Sequence, residues 1–523
     1  MQCRALSVSA GNATPGTEQA PRRRWAAIAA LRHRNTNMPG VGSGRIARPV
    51  FGRARDESED PCSRRLDAVK QRRPAFVPPG CRLLLALLGV VGLIPAAFGA
   101  IAAAAASPTA QSAVPNCGTK PVTMQGYFET GFPDIIELTK EFARQYPNVK
   151  WRIRQDQFAV ITQNAPLTLS GPNPPDLMRL PQVSGLIHDH LLKNLDGYFK
   201  EYRWDRFPAS QLASLRAAPS GHPRGTGPLW AMGINYSLTG VFYNKTLAAK
   251  IGKTKVPTTL AQLDALLAKA KAAGITPIVQ FNGGATGGLL FPLQQLMAVY
   301  GPPGPINNWI FDKPGANIDT RSNLAATEHL EQWIKARYFN SDANATDYPT
   351  MMSKFEHGKG LLIFDGDWES GNLDKVMPGK VGFFLMPPLN AGGKHAAMSA
   401  PLSYGIAAKA KHADCAAFFL NWVATNPQAR KINVAVGGSN PGGPASLPIP
   451  TVKPGSVTAQ TLAAGKVIAK ENGAMDFIAN ATGAIYAQSW TPEVQKLFAG
   501  QETPEGVLKT VQADYEKQVA SGL

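Results

Sequence analysis

Cysteine is scarce in this chain, and the scarcity removes several kinds of chemistry. There are 5 Cys in 523 residues, and only Cys117 and Cys415 lie beyond residue 110. No Cys/His cluster has the spacing of a zinc or iron–sulfur site. His188 and His190 form a His-x-His pair, but no third ligand follows at a useful spacing, so a surface helix is the simpler reading. A Ser/His/Asp motif, a phosphate-cradling glycine loop and an internal repeat are also missing. No catalytic residue, no metal and no cofactor is therefore expected. Acidic residues are outnumbered, 36 Asp+Glu against 54 Lys+Arg, for a net +18. Residues 1–100 alone hold 16 Lys+Arg and 6 Asp+Glu, a net of +10, which leaves +8 for the other 423. The basicity is mostly a property of the leader, and it does not argue for a nucleic-acid partner.

Residues 1–80 carry Arg22-Arg23-Arg24, Arg64-Arg65 and Arg72-Arg73 with no sustained apolar period. They read as a disordered arm or as the product of a start codon set too early, with Met38 an internal candidate. Residues 81–110 read as a signal peptide or a membrane anchor. Leu83 to Ala106 is a 24-residue apolar run, long enough to span a bilayer at about 1.5 Å per residue. Gly92, Pro95, Gly99 and the alanine-rich end favour a cleaved signal ending near Ala106 to Ala110. The expected location is extracytoplasmic, cell-surface associated or periplasmic, with residues 83–106 a tether if they are kept. Val114-Pro115-Asn116 lacks the small residues that precede a lipid-modified cysteine. Cys117 and Cys415 are open to either reading, one disulfide or two free thiols.

The exported part, about 118–523, exceeds the usual size of one core, so two lobes are expected. Strand and helix patterns alternate along it. Pro121 to Phe128 reads as a strand, and Pro133 opens a helix with Ile135, Leu138 and Phe142 on one face. Val149, Trp151 and Ile153 alternate with basic residues. Ile275 to Phe281 and Leu361 to Phe364 read as short buried strands, and Cys415 to Val423 as a buried helix. Trp230 to Asn244 reads as two apolar pieces broken at Asn235-Tyr236. Repeated βα units of this kind predict an α/β fold with parallel sheets, two of them, separated by a cleft.

Four segments carry a resemblance that covers nearly all of 120–520. They are Val241-Phe242-Tyr243-Asn244-Lys245; Thr258 through Ile278, with Ala272-Ala273-Gly274-Ile275-Thr276-Pro277; Phe355-x-x-Gly358-Lys359 through Asp365-Gly366-Asp367-Trp368; and Gly405-Ile406-Ala407-Ala408 running into Phe418-Phe419-Leu420-Asn421-Trp422. In order and spacing the chain resembles the family 1 extracellular solute-binding proteins of ABC importers, the group with the maltose- and oligosaccharide-binding proteins. The resemblance implies a two-lobed periplasmic-binding-protein-like fold (type II) with hinge crossovers. Lobe one is expected at 118–233 plus 396–440 and lobe two at 236–390 plus 441–523. It also implies a small-molecule carbohydrate held in the interlobe cleft, an ABC transporter membrane permease as partner, and a monomer.

The strand Leu361–Phe364 ends at Asp365-Gly366, and carboxyl ends of strands in open α/β sheets are where ligands dock. Trp368 is carried over from the family's Asp-Gly-x-Trp motif as the ring on which a sugar stacks, and Asp365 as an acceptor for its hydroxyls. Asp367 reads as a solvated carboxylate. By position Glu129 and Thr130 follow the first strand, Gln182 a later one, and Asn235 and Tyr236 stand at the first crossover. Asn282 and Gly283 end the strand after Pro277, Ser403 and Tyr404 flank the return crossover, and Asn440 lies in a glycine-rich loop. Two other readings compete. An exported carbohydrate-active enzyme would need two carboxylates roughly 5–10 Å apart, for which Glu129 with Asp365 is the only pairing to suggest. A polyamine would want a run of cleft carboxylates, which the sequence does not show; a glycerophosphoester would want a cleft cation, with Arg179 the nearest.

Overall fold

The computed structural model describes residues 114–522 apart from Thr254; the basic leader and the apolar run 83–106 lie outside the described residues. Strand β1 (Val122–Glu129) pairs in parallel with β2 (Val149–Asp156), in register from Val122 opposite Val149 to Glu129 opposite Asp156. Helix α1 (Pro133–Gln145) makes the crossover, with Pro133 at its first turn where a missing N–H costs nothing. It buries Ile135, Leu138 and Phe142. Phe142 meets Phe419 and Trp422 of helix Ala413–Thr425 edge to face, at ring separations of 5.1 and 5.2 Å. The short strand β3 (Leu177–Arg179) lies on the other side of β1, again parallel.

The rest of the sheet departs from the parallel expectation. Met232–Asn244 and Ala397–Ile406 run antiparallel to each other. Strands Leu362–Gly366 and Val381–Phe384 pair antiparallel with Met232–Asn244, and β3 pairs antiparallel with Ala397–Ile406. The sheet is mixed, because a chain that returns to its first core must run against the strand that left it. The break expected at Asn235-Tyr236 is a register irregularity between Gly233 and Tyr236, inside one continuous strand. Ile275 to Phe281 forms no strand. Ile278 makes only isolated bridges to Phe339 and Leu362; Pro277 offers no N–H, and the N–H of Gln280 donates to the Asn340 side chain, 2.8 Å, instead of a neighbouring strand.

Two hydrophobic clusters result. One gathers β1, α1, β3 and helix Ala413–Thr425, and reaches Met232, Ile234, Leu402, Tyr404 and Ile406. The other takes Leu238, Val241 and Phe242 from the same outgoing strand and Ala397, Met398 and Ala400 from the same returning one. Both long strands thus belong to both cores. No helix among the described residues is long and apolar enough to cross a membrane.

Cys117 and Cys415 are disulfide-bonded across a sequence separation of 298, tying the segment before β1 to helix Ala413–Thr425. Closing so long a loop restricts the unfolded chain. Cys415→Ser is expected to lower unfolding free energy by about 2–5 kcal/mol; urea titration with and without reductant measures it, and coincident curves would rule it out.

Candidate functional site

Between the residues of the two clusters lies a cavity of about 700 Å³. The carboxyl ends of β1 and β3 bring Glu129, Thr130, Arg179 and Gln182 to one wall, and Ser403 joins them from the returning strand. Glu129 accepts from Arg179 Nε at 3.1 Å, and the Arg179 guanidinium lies 5.2 Å from the Phe158 ring centre. Burial pushes the Glu129 carboxyl up to about 7, although Arg179 pulls the other way.

The opposite wall is built from the strand Leu362–Gly366 and the turn after it. All five strand residues are buried. A Cβ on Gly366 would lie 1.9 Å from a ring carbon of Trp368, so only glycine lets the indole fold back over the strand end. The indole is half-buried, packs 5.9 Å from Phe291, and lines the cavity. Its Nε1 donates to the Tyr348 hydroxyl at 2.8 Å. That hydroxyl is also 2.9 Å from Asp365 Oδ2 and 2.7 Å from Glu369 Oε1. A hydroxyl has one proton and two lone pairs. With one lone pair taken by the indole, it satisfies both carboxyls only if it donates to one and accepts a proton from the other. Burial pushes both carboxyls above the usual range; the charge of Glu369 adds to the rise at Asp365, and that of Glu356 to the rise at Glu369. Asn372 Nδ2 donates to Glu369 Oε2 at 3.2 Å and to Glu356 Oε1 at 3.0 Å.

Of the residues expected to touch ligand, Glu129, Thr130, Gln182, Gly283, Trp368 and Ser403 line this cavity. The other six stand behind its walls. Asp365 is fully buried and spends its oxygens on Tyr348 and the Gly366 N–H, 2.9 Å each. Asn235 is buried against Asp134, with Nδ2 3.3 Å from the carboxylate. Tyr236 donates to the Gln211 carbonyl. Asn282 donates to Asn344 Oδ1 at 2.7 Å, Tyr404 is fully buried beside Phe128, and Asn440 packs against Gly465. Strand alternation is the reason for several of these: a neighbour of a wall residue points to the other face. Asp367 is a further correction. It is fully buried and not solvated, and Oδ1 accepts from the Leu238 N–H at 3.0 Å and the Ser439 hydroxyl at 3.1 Å. Sequence reasoning missed Tyr348, Phe158, Glu356, Glu369 and Asn372. The N-cap at Asp347 with Pro349 behind it marks a helix start, but no local pattern says that this start meets the strand end at Asp365.

Two outcomes follow from this geometry. Tyr348→Phe strands the indole N–H and two carboxyl oxygens, and is expected to cost on the order of 1–3 kcal/mol; chemical denaturation read by tryptophan fluorescence measures it. The second concerns pH. Asp134, Glu129 and Asp367 are pushed by burial to about 6, 7 and 8, from ordinary values of 3.8, 4.5 and 3.8. Between the ordinary and raised values the folded chain binds more protons than the unfolded one, so stability falls as pH rises from about 4 to about 8. Glu129→Gln removes its share between about 4.5 and 7, seen as a flatter plot of urea midpoint against pH.

The model of the family of bacterial extracellular solute-binding proteins matches residues 128–430, more than half of the chain. Among solved structures, a chitin oligosaccharide binding protein is similar, with a TM-score of 0.64, 18% identity, and coverage of 76% of this chain and 99% of that one. The protein RafE in complex with raffinose has a TM-score of 0.59 at 18% identity over 76% and 99%. Maltose-bound MalE3 of T. maritima has 0.60 at 16% over 76% and 99%. At such identities the likeness shows the fold. Among curated proteins, none matches the sequence. The matched span takes in both strands that join the two cores and most of the cavity walls, and the chain belongs to the bacterial extracellular solute-binding proteins.

Proposed function

We propose that this protein is an extracytoplasmic carbohydrate receptor that hands its ligand to the membrane permease of an ABC transporter. The observation that carries the reading is the indole of Trp368, which lines the cavity with its Nε1 tied to Tyr348, across from a polar wall of Glu129, Thr130, Gln182 and Ser403. A sugar offers an apolar C–H face and a rim of hydroxyls, and these two walls answer both. The similar structures bound to maltose and raffinose support the same class of ligand. The lobes divide at 118–233 plus 396–440 and 236–390 plus 441–523, and bending of the two shared strands closes them on the ligand.

Receptor is favoured over hydrolase because the one carboxylate pair suggested for hydrolysis does not meet across the cavity: Asp365 is buried behind the wall. A phosphoester is disfavoured because Arg179 is already engaged by Glu129. The test is a thermal-shift and calorimetric screen with mono- and oligosaccharides, where binding without turnover is expected and product release would support the enzyme. Trp368→Ala is expected to weaken sugar binding at least about tenfold, or about 1.4 kcal/mol. Unchanged affinity in that variant would remove the indole from the site.

A further inference from the structure

Among the described residues, one ion pair made by an Arg or Lys crosses between the two cores, while others such as Arg179–Glu129, Arg216–Asp196 and Lys354–Asp342 stay within one. Arg224 belongs to a hairpin of strands Arg216–Ala217 and Arg224–Leu229, whose Ala217 and Leu229 are buried in the first cluster. Asp476 stands between Met475 and Phe477 of the second. Arg224 Nη2 lies 3.2 Å from Asp476 Oδ2, and the two side chains are only 3% and 4% exposed. Both residues line the cavity, so the pair is a piece of its wall that runs from one core to the other. Arg224 makes further contacts on the far side. Its N–H donates to the Phe311 carbonyl at 3.1 Å, and its carbonyl accepts from Lys313 Nζ at 3.3 Å. Its Nη1 donates to the Asn480 carbonyl, and the guanidinium lies 5.4 Å from the Phe311 ring centre.

Each end of the pair is fixed in its own core. On the hairpin, Trp230 Nε1 donates to the Ala217 carbonyl at 3.0 Å and the Leu195 N–H to the Leu229 carbonyl at 2.8 Å. Asp476 Oδ1 accepts from the Phe477 N–H at 2.7 Å and from Asn480 Nδ2 at 3.0 Å, and its own N–H donates to Asn307 Oδ1 at 2.9 Å. The hairpin is a two-stranded sheet of its own, apart from the ladder that joins the cores. We infer that Arg224 and Asp476 form an interlobe latch, which holds the two cores in the arrangement where the Trp368 wall and the Glu129 wall border one cavity. The inference goes beyond the carbohydrate reading and stands independently of the ligand. Bending of the shared strands leaves their ladder intact but must part Arg224 from Asp476, since neither end can follow the other. A buried guanidinium and carboxylate resist that separation, because each loses its partner before water can replace it. The latch therefore raises the fraction of empty protein that is ready to grip a guest, and apparent affinity scales with that fraction.

The test is single-molecule energy transfer on the full-length protein without ligand. Dyes are attached to azide-bearing residues introduced at the exposed positions Lys200, on the first core, and Lys509, on the second. A second dye pair at Lys269 and Lys509 reports the second core alone. The variants are Asp476→Asn, which removes the charge, and Arg224→Lys, which keeps the charge but not the fork that reaches Asp476 and the Asn480 carbonyl together. Arg144→Gln, which breaks an exposed pair with Glu141 inside one core, is the control. In both latch variants the ratio of latched to parted molecules is expected to fall at least about tenfold, while the Lys269–Lys509 distance and the control stay as in the parent. A Lys200–Lys509 distribution unchanged in either latch variant, or shifted equally by Arg144→Gln, overturns the latch. A changed Lys269–Lys509 distance, or unfolding of both variants, shows the pair to be support for one core and overturns it as well.

Discussion

The fold depends on two strands that share their backbone hydrogen bonds while serving two cores. Met232–Asn244 and Ala397–Ile406 pair along much of their length, yet each gives its side chains to one cluster at one end and to the other cluster at the other. The ladder cannot be broken without leaving buried amides unpaired, so the cores stay joined at this line and the cavity opens beside it. Close packing keeps the line narrow. A Cβ on Gly240 would lie 2.2 Å from the Phe383 ring, and one on Gly233 2.6 Å from Pro401. Asp367 fastens the same region, accepting from Leu238 on the outgoing strand and from Ser439 beyond the return.

The site is a consequence of where the neighbouring strand stops. Leu362–Gly366 is buried through its last residue, and the chain then turns sharply enough to lay Trp368 over Gly366. An indole in that position has one N–H pointing inward, and Tyr348 accepts it. Two carboxyls then meet at a single phenolic hydroxyl, and burial pushes both above the usual carboxylate range. Across the cavity Glu129 and Arg179 form a separate pair.

Much of the folded chain was legible in its periodicity. Pro133 with Ile135, Leu138 and Phe142 predicted α1, Leu361 to Phe364 a buried strand, and Cys415 to Val423 a buried helix, and all three stand in the structure. Ile275 to Phe281 failed as a strand because its β-branched and aromatic residues fit one locally while Pro277 and the Asn340 side chain took away the ladder. The antiparallel turn of the sheet failed for a different reason: strand direction is set by which core the chain returns to, and that is not written in any one segment.

What the sequence by itself determined is what short range controls: the apolar periods, the helix caps, the glycine that lets an indole fold over its own strand end, and the order of segments that marks the family. The family's Asp-Gly-x-Trp motif singled out Trp368, and places at strand ends singled out Glu129, Thr130 and Gln182. Only the tertiary structure decided which neighbours face the cavity, that Cys117 meets Cys415, and that Tyr348, from a helix elsewhere in the chain, stands between Asp365 and Glu369. Burial is the physical reason. The charge state of a carboxyl and the partner of a hydroxyl depend on which surfaces lose water together, and residues far apart in the chain settle that.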